Sequence, residues 1–451
     1  MKQETIQTFV NRKRPVYESI NRIEKQLFSE YGVKSGLRDE NGKGVLTGLT
    51  NISEVVAFTE ENGEKKPCKG QLFYRGYNVR DLIEKNENTK YIFEEAAYLL
   101  LFGDLPNEAD LQEFQTILGS SMTLPTNFTR DVIMKAESKD IMNSMTKSVL
   151  SLASYDTQSD NLDAANVMRQ CIQMIAVFPM LAAYGYHAYN HYKNDESMYI
   201  HRPIPSLSLA ENFLRMLRPD TQYTQLEATV LNILLLLHME HGGGNNSSFT
   251  TRVVTSAGSD TYATIAAALC SLKGPRHGGA NIKVSKMMAD IKAHVNNKTD
   301  KQEVEAYLRK ILNKEAFDQS GLIYGMGHAV YSVSDPREEI LKEFVLQLAQ
   351  EKHSMDDFAL FEMVETSAPK LIAEKSRIYK GVSPNIDFYS GLVYEMLGIP
   401  EELYTPLFAM ARVVGWSAHR IEELQSASKI IRPAYMALSE RREYLPIGNR
   451  K

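Results

Sequence analysis

Leu234-Leu235-Leu236-Leu237-His238-Met239-Glu240-His241-Gly242-Gly243-Gly244 decides how this 451-residue chain folds. The run before His238 is apolar on nearly every side, so a helix there has no face to give to water and belongs at the centre of a helical bundle. Glycine then lets the backbone take positive φ and lets another group approach the main chain closely, at an entropic cost a plain core would avoid. Further along, Gly274-Pro275-Arg276-His277-Gly278-Gly279-Ala280-Asn281 again sets a histidine beside glycines. Asp260 to Leu272, rich in alanine, reads as a helix that carries His277 back towards His241. Turn glycines beside surface histidines would explain either cluster alone. Two of them joined by one helix point to a site for a small polar ligand.

Composition sets the outer bounds. With 43% hydrophobic and 24% charged residues, the chain can bury a large core and has room for two or three domains. A net charge of -5 supplies no domain-wide basic field, which argues against a nucleic-acid partner. Three scattered cysteines, Cys68, Cys171 and Cys270, form neither a disulfide framework nor a metal motif and fit a reducing, cytoplasmic location. Cys270, within the alanine-rich helix, reads as a small buried residue. Met1 to Arg14 lacks the apolar core of a signal peptide. The longest apolar run, Met174 to Gly185, is interrupted by Pro179 and too short to cross a bilayer, so no membrane span is expected.

Outward from the centre, the spacing of apolar residues predicts helices over Val16–Tyr31, Phe93–Leu101 up to Gly103, Pro106–Leu118, Asp140–Leu152, Ala164–Tyr186, Leu207–Leu217, Lys301–Ile311 and Asp335–Glu351. Strand signals are confined to Leu46–Val56 and Lys69–Tyr77, which flank a polar hairpin tip, Glu60 to Lys66. The fold class is therefore mostly α, with a small β or irregular element near the N-terminus.

Three further stretches carry chemistry. Gly325-Met326-Gly327-His328 lacks the third glycine and the preceding strand of a dinucleotide fingerprint. Taken with Arg337, however, His328 suits an α-keto acid, since an imidazole donates to a carbonyl and a guanidinium forks onto a carboxylate. Asp387, in Asn385-Ile386-Asp387-Phe388-Tyr389-Ser390-Gly391, lies among apolar neighbours just inside a helix. It reads either as a tuned acid/base or as an acid favoured by the helix dipole. Arg412 and Arg432 sit in apolar surroundings, where an unpaired cation is costly and a dicarboxylate would satisfy it.

Taken in order, LFYRGY, FEEAAYLLLFGDLP, GPRHGGAN, GMGHAVYSVSDPR, NIDFYSG, MARVVGW and IIRP resemble the signature of the citrate synthase family, over about Leu46 to Arg432. The resemblance implies a citrate synthase-like two-domain all-helical fold, with residues 1–277 and 393–451 forming a large domain and 278–392 a small one that closes over substrate. It implies an acyltransferase of the Si type, which condenses acetyl-CoA with oxaloacetate and water to give citrate and CoA, as in the tricarboxylic acid cycle. No metal or other cofactor is implied, and the chain is expected to be a homodimer with no nucleic-acid or membrane partner. By the same resemblance His277 stabilises the enol of acetyl-CoA, Asp387 removes the methyl proton and His328 polarises the oxaloacetate carbonyl. His241, Arg337 and Arg412 hold oxaloacetate, Arg432 reaches in from the other subunit, and His238 supports the site from its helix. Arg377 and Lys380 are candidates for the coenzyme.

Two departures from the commoner family pattern stand out: GGGNNSSF after His241 is richer in glycine, and Ala329 follows His328 where arginine is frequent. A neighbouring reading is 2-methylcitrate synthase, acting on propionyl-CoA, because one methyl changes binding by only about 1 to 3 kcal/mol. From another class, a metal-dependent hydrolase would use His238, His241 and Asp387 or Glu240. HMEH lacks the spacing such a site needs, and nearby arginines would repel a cation.

Overall fold

Helical periodicity dominates the sequence, and helices dominate the structure. A computed structural model describes residues 3–39, 44–61, 64–327, 330–376, 381–426 and 429–450. Among them are seventeen α-helices and one three-stranded antiparallel sheet. The chain divides into two compact units, Met1–Thr50 and Asn51–Lys451.

In the first unit, helices run Gln3–Ile20 and Lys25–Glu30 rather than continuously over Val16–Tyr31. The break follows Ile20: Tyr17 O takes both the Asn21 N–H at 3.2 Å and Asn21 Nδ2 at 2.7 Å, and Arg22 N–H then turns to Ser19 O at 3.3 Å, a tighter last turn that ends the helix. Ile6, Phe9, Val16 and Tyr17 are exposed, so apolar spacing here does not report a core.

The second unit opens with a hairpin of β1 (Ser53–Glu61) and β2 (Glu64–Tyr74), extended by β3 (Tyr77–Asn78). Ser53 pairs with Tyr74 and Glu61 with Glu64, so the strands run further into the polar tip than the sequence suggests. Helices then begin where capping side chains stand. Asn107 and Asp140 accept backbone N–H bonds from Asp110 and Asn143, and Ser208 and Thr224 form capping boxes with Glu211 and Glu227.

Burial follows the apolar pattern. Met174 to Gly185 lies within one helix, Ala164–Lys193, which continues through Pro179. By length and composition this helix could cross a bilayer, yet most of its apolar stretch is buried inside the protein, as in a core helix. Gln225–His238 is buried almost throughout, as its all-round apolarity requires, and ends three residues before His241. Cys270 corrects its reading as a buried residue: it is exposed, because Leu269 and Leu272 take the inward face of Thr261–Leu272.

Two helix groups meet along the central helix. Tyr404–Ser426 packs against Gln225–His238, Ala164–Lys193 and Asn246–Ser256. Pro336–Glu351 packs against Gln225–His238 and Ile386–Met396, and the latter also lies on Ala280–His294. The C-terminal end of the central helix is thereby brought to the helices that carry Arg337, Asp387 and Arg412.

Candidate active site

The centre of the site is His238, only 1% exposed. Its Nδ1 lies 2.9 Å from Leu234 O, one turn back. A carbonyl oxygen only accepts, so Nδ1 carries the proton and Nε2 is an acceptor, buried and without a partner among the described residues. Burial, with Arg337 and Arg412 near, pulls the ring down to about 3, so it is neutral.

Arg412 sits inside Tyr404–Ser426, 2% exposed, with Nε donating to His238 O at 2.8 Å and its guanidinium 4.7 Å from the centre of the Phe408 ring. Burial pulls its pKa down to about 10, opposed first by Glu240. A guanidinium hardly ever loses its proton, so this fall expresses the cost of a buried cation and its demand for an anion. Arg337 is also buried, but Asp335 caps the same helix and binds it through Nε (3.0 Å) and Nη2 (2.7 Å). Burial works against the Arg337 charge, and Asp335 more than offsets it.

Asp387 occupies the first turn of Ile386–Met396, which Asn385 caps by accepting the Asp387 N–H at 3.0 Å. Burial pushes its carboxyl up to about 6, and Arg337 and Arg412 restrain the rise. That places it where a carboxylate exchanges protons near neutrality.

His277 has its proton position fixed by Ser247. The Ser247 backbone N–H donates to His277 Nε2 at 3.3 Å, and Ser247 Oγ lies 2.9 Å from the same nitrogen. Nε2 is thus an acceptor, which leaves Nδ1–H as a donor. Trp416 Nε1 holds Ser247 Oγ in turn, at 3.1 Å. Burial, then Arg412, lowers His277 to about 4, so it acts as a neutral donor.

His241 packs edge-on against Tyr331, with ring centres 5.5 Å apart. Tyr74 braces the chain just before it, giving its hydroxyl to Leu236 O (2.9 Å) or Glu240 O (3.1 Å) and accepting the Glu240 N–H at 3.2 Å. His328 lies outside the described residues, but the loop before it is strapped to the Asp387 helix. Gly327 N–H donates to Ser383 O at 2.8 Å, and Asn385 Nδ2 donates to Gly327 O at 2.9 Å.

His238, His277, Arg337, Arg412 and Asp387 are therefore one cluster, linked by bonds and by mutual electrostatics, with His241 beside it through Tyr331. Arg432 is not part of it within this chain. It is exposed, on a segment pinned where Ile431 N–H meets Ser256 Oγ at 3.0 Å, which corrects the expectation that apolar surroundings make its charge costly. Arg377 and Lys380 lie outside the described residues. Asp335, Ser247 and Tyr74 belong to the site and were not singled out from the sequence. Asp335 had a signal, a capping acid directly before Pro336-Arg337; Ser247 had none, because its partner is thirty positions away.

The arrangement can hold a small dianion between two buried guanidiniums, present a neutral N–H donor to an oxygen that gains charge, and remove a proton with a carboxylate tuned to about 6. Residues 40–434 match the family model described as citrate synthase, C-terminal domain. A citrate synthase from Acidithiobacillus ferridurans is 35% identical over 414 residues, covering 88% of this chain and 97% of that protein. A 2-methylcitrate synthase from Shewanella oneidensis is 32% identical over 385 residues, 84% of this chain and 92% of that protein. Among solved structures, a ternary complex of citrate synthase from the archaeon Thermoplasma acidophilum with carboxymethyl coenzyme A and oxaloacetate superposes with a TM-score of 0.74 at 27% identity, covering 93% of this chain and 99% of that one.

Proposed function

Because the chain belongs to the citrate synthase family and is an enzyme of that class, we propose that the cluster around His277, Arg337, Asp387 and Arg412 joins acetyl-CoA to oxaloacetate and releases citrate and CoA. Asp387 takes a methyl proton from acetyl-CoA while His277 Nδ1–H donates to the thioester oxygen. One such donor is worth on the order of 3 kcal/mol in the transition state. The new carbon nucleophile attacks the oxaloacetate carbonyl, polarised by His328, and water then cleaves the citryl thioester to free the thiol. His241, Arg337 and Arg412 hold the oxaloacetate, and His238 supports them.

The observation that carries this reading is that Asp387, raised to about 6, and a His277 ring whose donor face is fixed by Ser247 both feel the charge of Arg412. The hydrolase reading lacks its donor set: among the described residues no three His, Cys, Asp or Glu side chains gather as a group that could hold a metal ion.

Further parts of the reading rest on the family. Arg432 enters the site of a second subunit in a homodimer, residues 278–392 close over substrate and exclude water, and Arg377 and Lys380 meet the coenzyme. No cofactor beyond the coenzyme substrate is needed. A cytosolic location, supported by three free cysteines, fits a role in the tricarboxylic acid cycle.

The test is thiol release from acetyl-CoA and from propionyl-CoA, each with and without oxaloacetate, on the wild type and on Asp387→Asn. Release that requires oxaloacetate and collapses in the variant is the expected result, and release indifferent to either would sink the reaction. A propionyl rate above the acetyl rate would favour the 2-methylcitrate reaction named for the Shewanella relative.

A further inference from the structure

Behind the site lies a set of charged groups that the proposed reaction leaves unused. Glu240 is fully buried, and its Oε1 accepts from Ser53 Oγ at 2.9 Å and from His419 Nε2 at 3.0 Å. His419, also fully buried, meets Arg252 Nη2 with its other nitrogen, Nδ1, at 2.8 Å. A guanidinium only donates, so Nδ1 must accept; the ring proton therefore sits on Nε2 and is given to Glu240. Arg252 is held in turn by Glu423 at 2.9 Å and by Glu422, whose Oε1 also takes the Asn51 N–H at 2.7 Å.

From the rim inward the order is two acids, Arg252, His419 and Glu240, and beyond them Arg412, whose charge Glu240 sustains more than any other group. Two glycines make the room. A Cβ on Gly415 would lie 2.4 Å from Glu240 Oε2 and 2.5 Å from Met239 O, and one on Gly243 would lie 3.2 Å from His419 Cε1 and 3.3 Å from Arg252 Nε. The glycine-rich loop after His241 is thus seated on the His419–Arg252 pair.

We propose that Arg252, His419 and Glu240 form a positioning relay: Arg252 fixes the His419 tautomer, His419 holds Glu240, and Glu240 sets the place of Arg412 and of the loop carrying His241. The relay governs oxaloacetate binding without touching oxaloacetate, and in this it rests on the citrate synthase reading above. Its members are positioning residues that act through Arg412 and His241.

Arg252→Met removes the donor to Nδ1 and frees the ring to take either tautomer. The KM for oxaloacetate should rise about tenfold and that for acetyl-CoA stay within about twofold, in Arg252→Met and in His419→Phe alike. The double variant should be no worse than His419→Phe alone, since both act through one bond. Equal effects on both substrates, or effects that add, would overturn the relay. Nitrogen-15 spectra of the histidines give a readout that needs no activity. The wild-type His419 signal, identified by its loss in His419→Phe or His419→Gln, should show the proton on Nε2, and a proton on Nδ1 would overturn the proposal. A wild type lacking oxaloacetate-dependent thiol release would sink the reaction instead, leaving the tautomer result standing.

Discussion

Asp335 and Arg337 stand two residues apart at the start of one helix and are joined by the capping bond from Arg337 N–H and by two side-chain bonds, Nε to Oδ1 at 3.0 Å and Nη2 to Oδ2 at 2.7 Å. Oδ2 also accepts the N–H of Ile386 at 3.3 Å, so one buried carboxylate ties the helix of Arg337 to the helix of Asp387. Fixing the guanidinium and the carboxylate to which the proposed reaction gives substrate binding and proton removal through the same group sets their separation before any ligand arrives.

Asp335→Asn leaves Arg337 buried with a neutral partner. Breaking a buried pair from one side costs about 3 to 5 kcal/mol, which urea unfolding would register. The KM for oxaloacetate should rise at least about tenfold as the guanidinium loses its second bond. A variant as stable and as tight-binding as the wild type would show that the pair does not organise the site.

Acidity gives a second expectation. Burial raises Asp387 to about 6, and only its ionised form can accept a proton. Thus kcat/KM should fall about tenfold per pH unit below that value and level off above it. His277, lowered to about 4, adds no limb in between. A carboxyl whose pKa rises on folding, here from 3.8, opposes folding above the raised value and ceases to do so below the unfolded one. Asp387→Asn should therefore melt higher than the wild type at pH 8 and alike near pH 4. A rate profile flat from pH 4 to 8 would remove Asp387 from its role.

Ser247→Ala keeps the backbone N–H that fixes the His277 tautomer but strips the partner from the buried Trp416 N–H. We expect a loss of about 1 to 3 kcal/mol in stability, the cost of an orphaned buried donor. The kcat should fall by less than about tenfold, because the hydrogen bond that sets the tautomer survives. A collapse in kcat at unchanged stability would mean the hydroxyl, not the backbone, orients the ring.

A site completed by Arg432 of a second subunit, as proposed above, predicts complementation. Asp387→Asn and Arg432→Ala should each be nearly inactive, yet subunit exchange between them should restore up to about a quarter of the wild-type sites, since half the dimers are mixed and each carries one intact site. No recovery after verified exchange would place Arg432 outside the partner's site.

Much of the candidate cluster was legible because its residues lie in short, chemically unusual contexts. A histidine among glycines, an arginine after Asp-Pro and an aspartate at a helix start each depart from what a plain core would use. The exceptions are informative. Cys270 looked buried because the helix around it is rich in alanine, but one residue's turn about the axis separates it from Leu269 and puts it in solvent. The first helix ends at Ile20, where Arg22 N–H turns to Ser19 O, and its apolar residues Val16 and Tyr17 are exposed, so periodicity there had no core to report.

By itself the sequence determined the helical class, the ends of most of the helices it predicted and the centrality of Gln225–His238, because periodicity, capping and all-round apolarity are local properties carried by neighbouring residues. Tertiary structure alone decided the proton positions on His277 and His419, the bond by which Asp335 takes the Ile386 N–H, and the seating of Glu240 against Gly415. The physical reason is one of range. A tautomer or a pKa depends on groups packed within a few ångströms, and in this fold those groups come from helices that can lie more than a hundred residues apart in the chain.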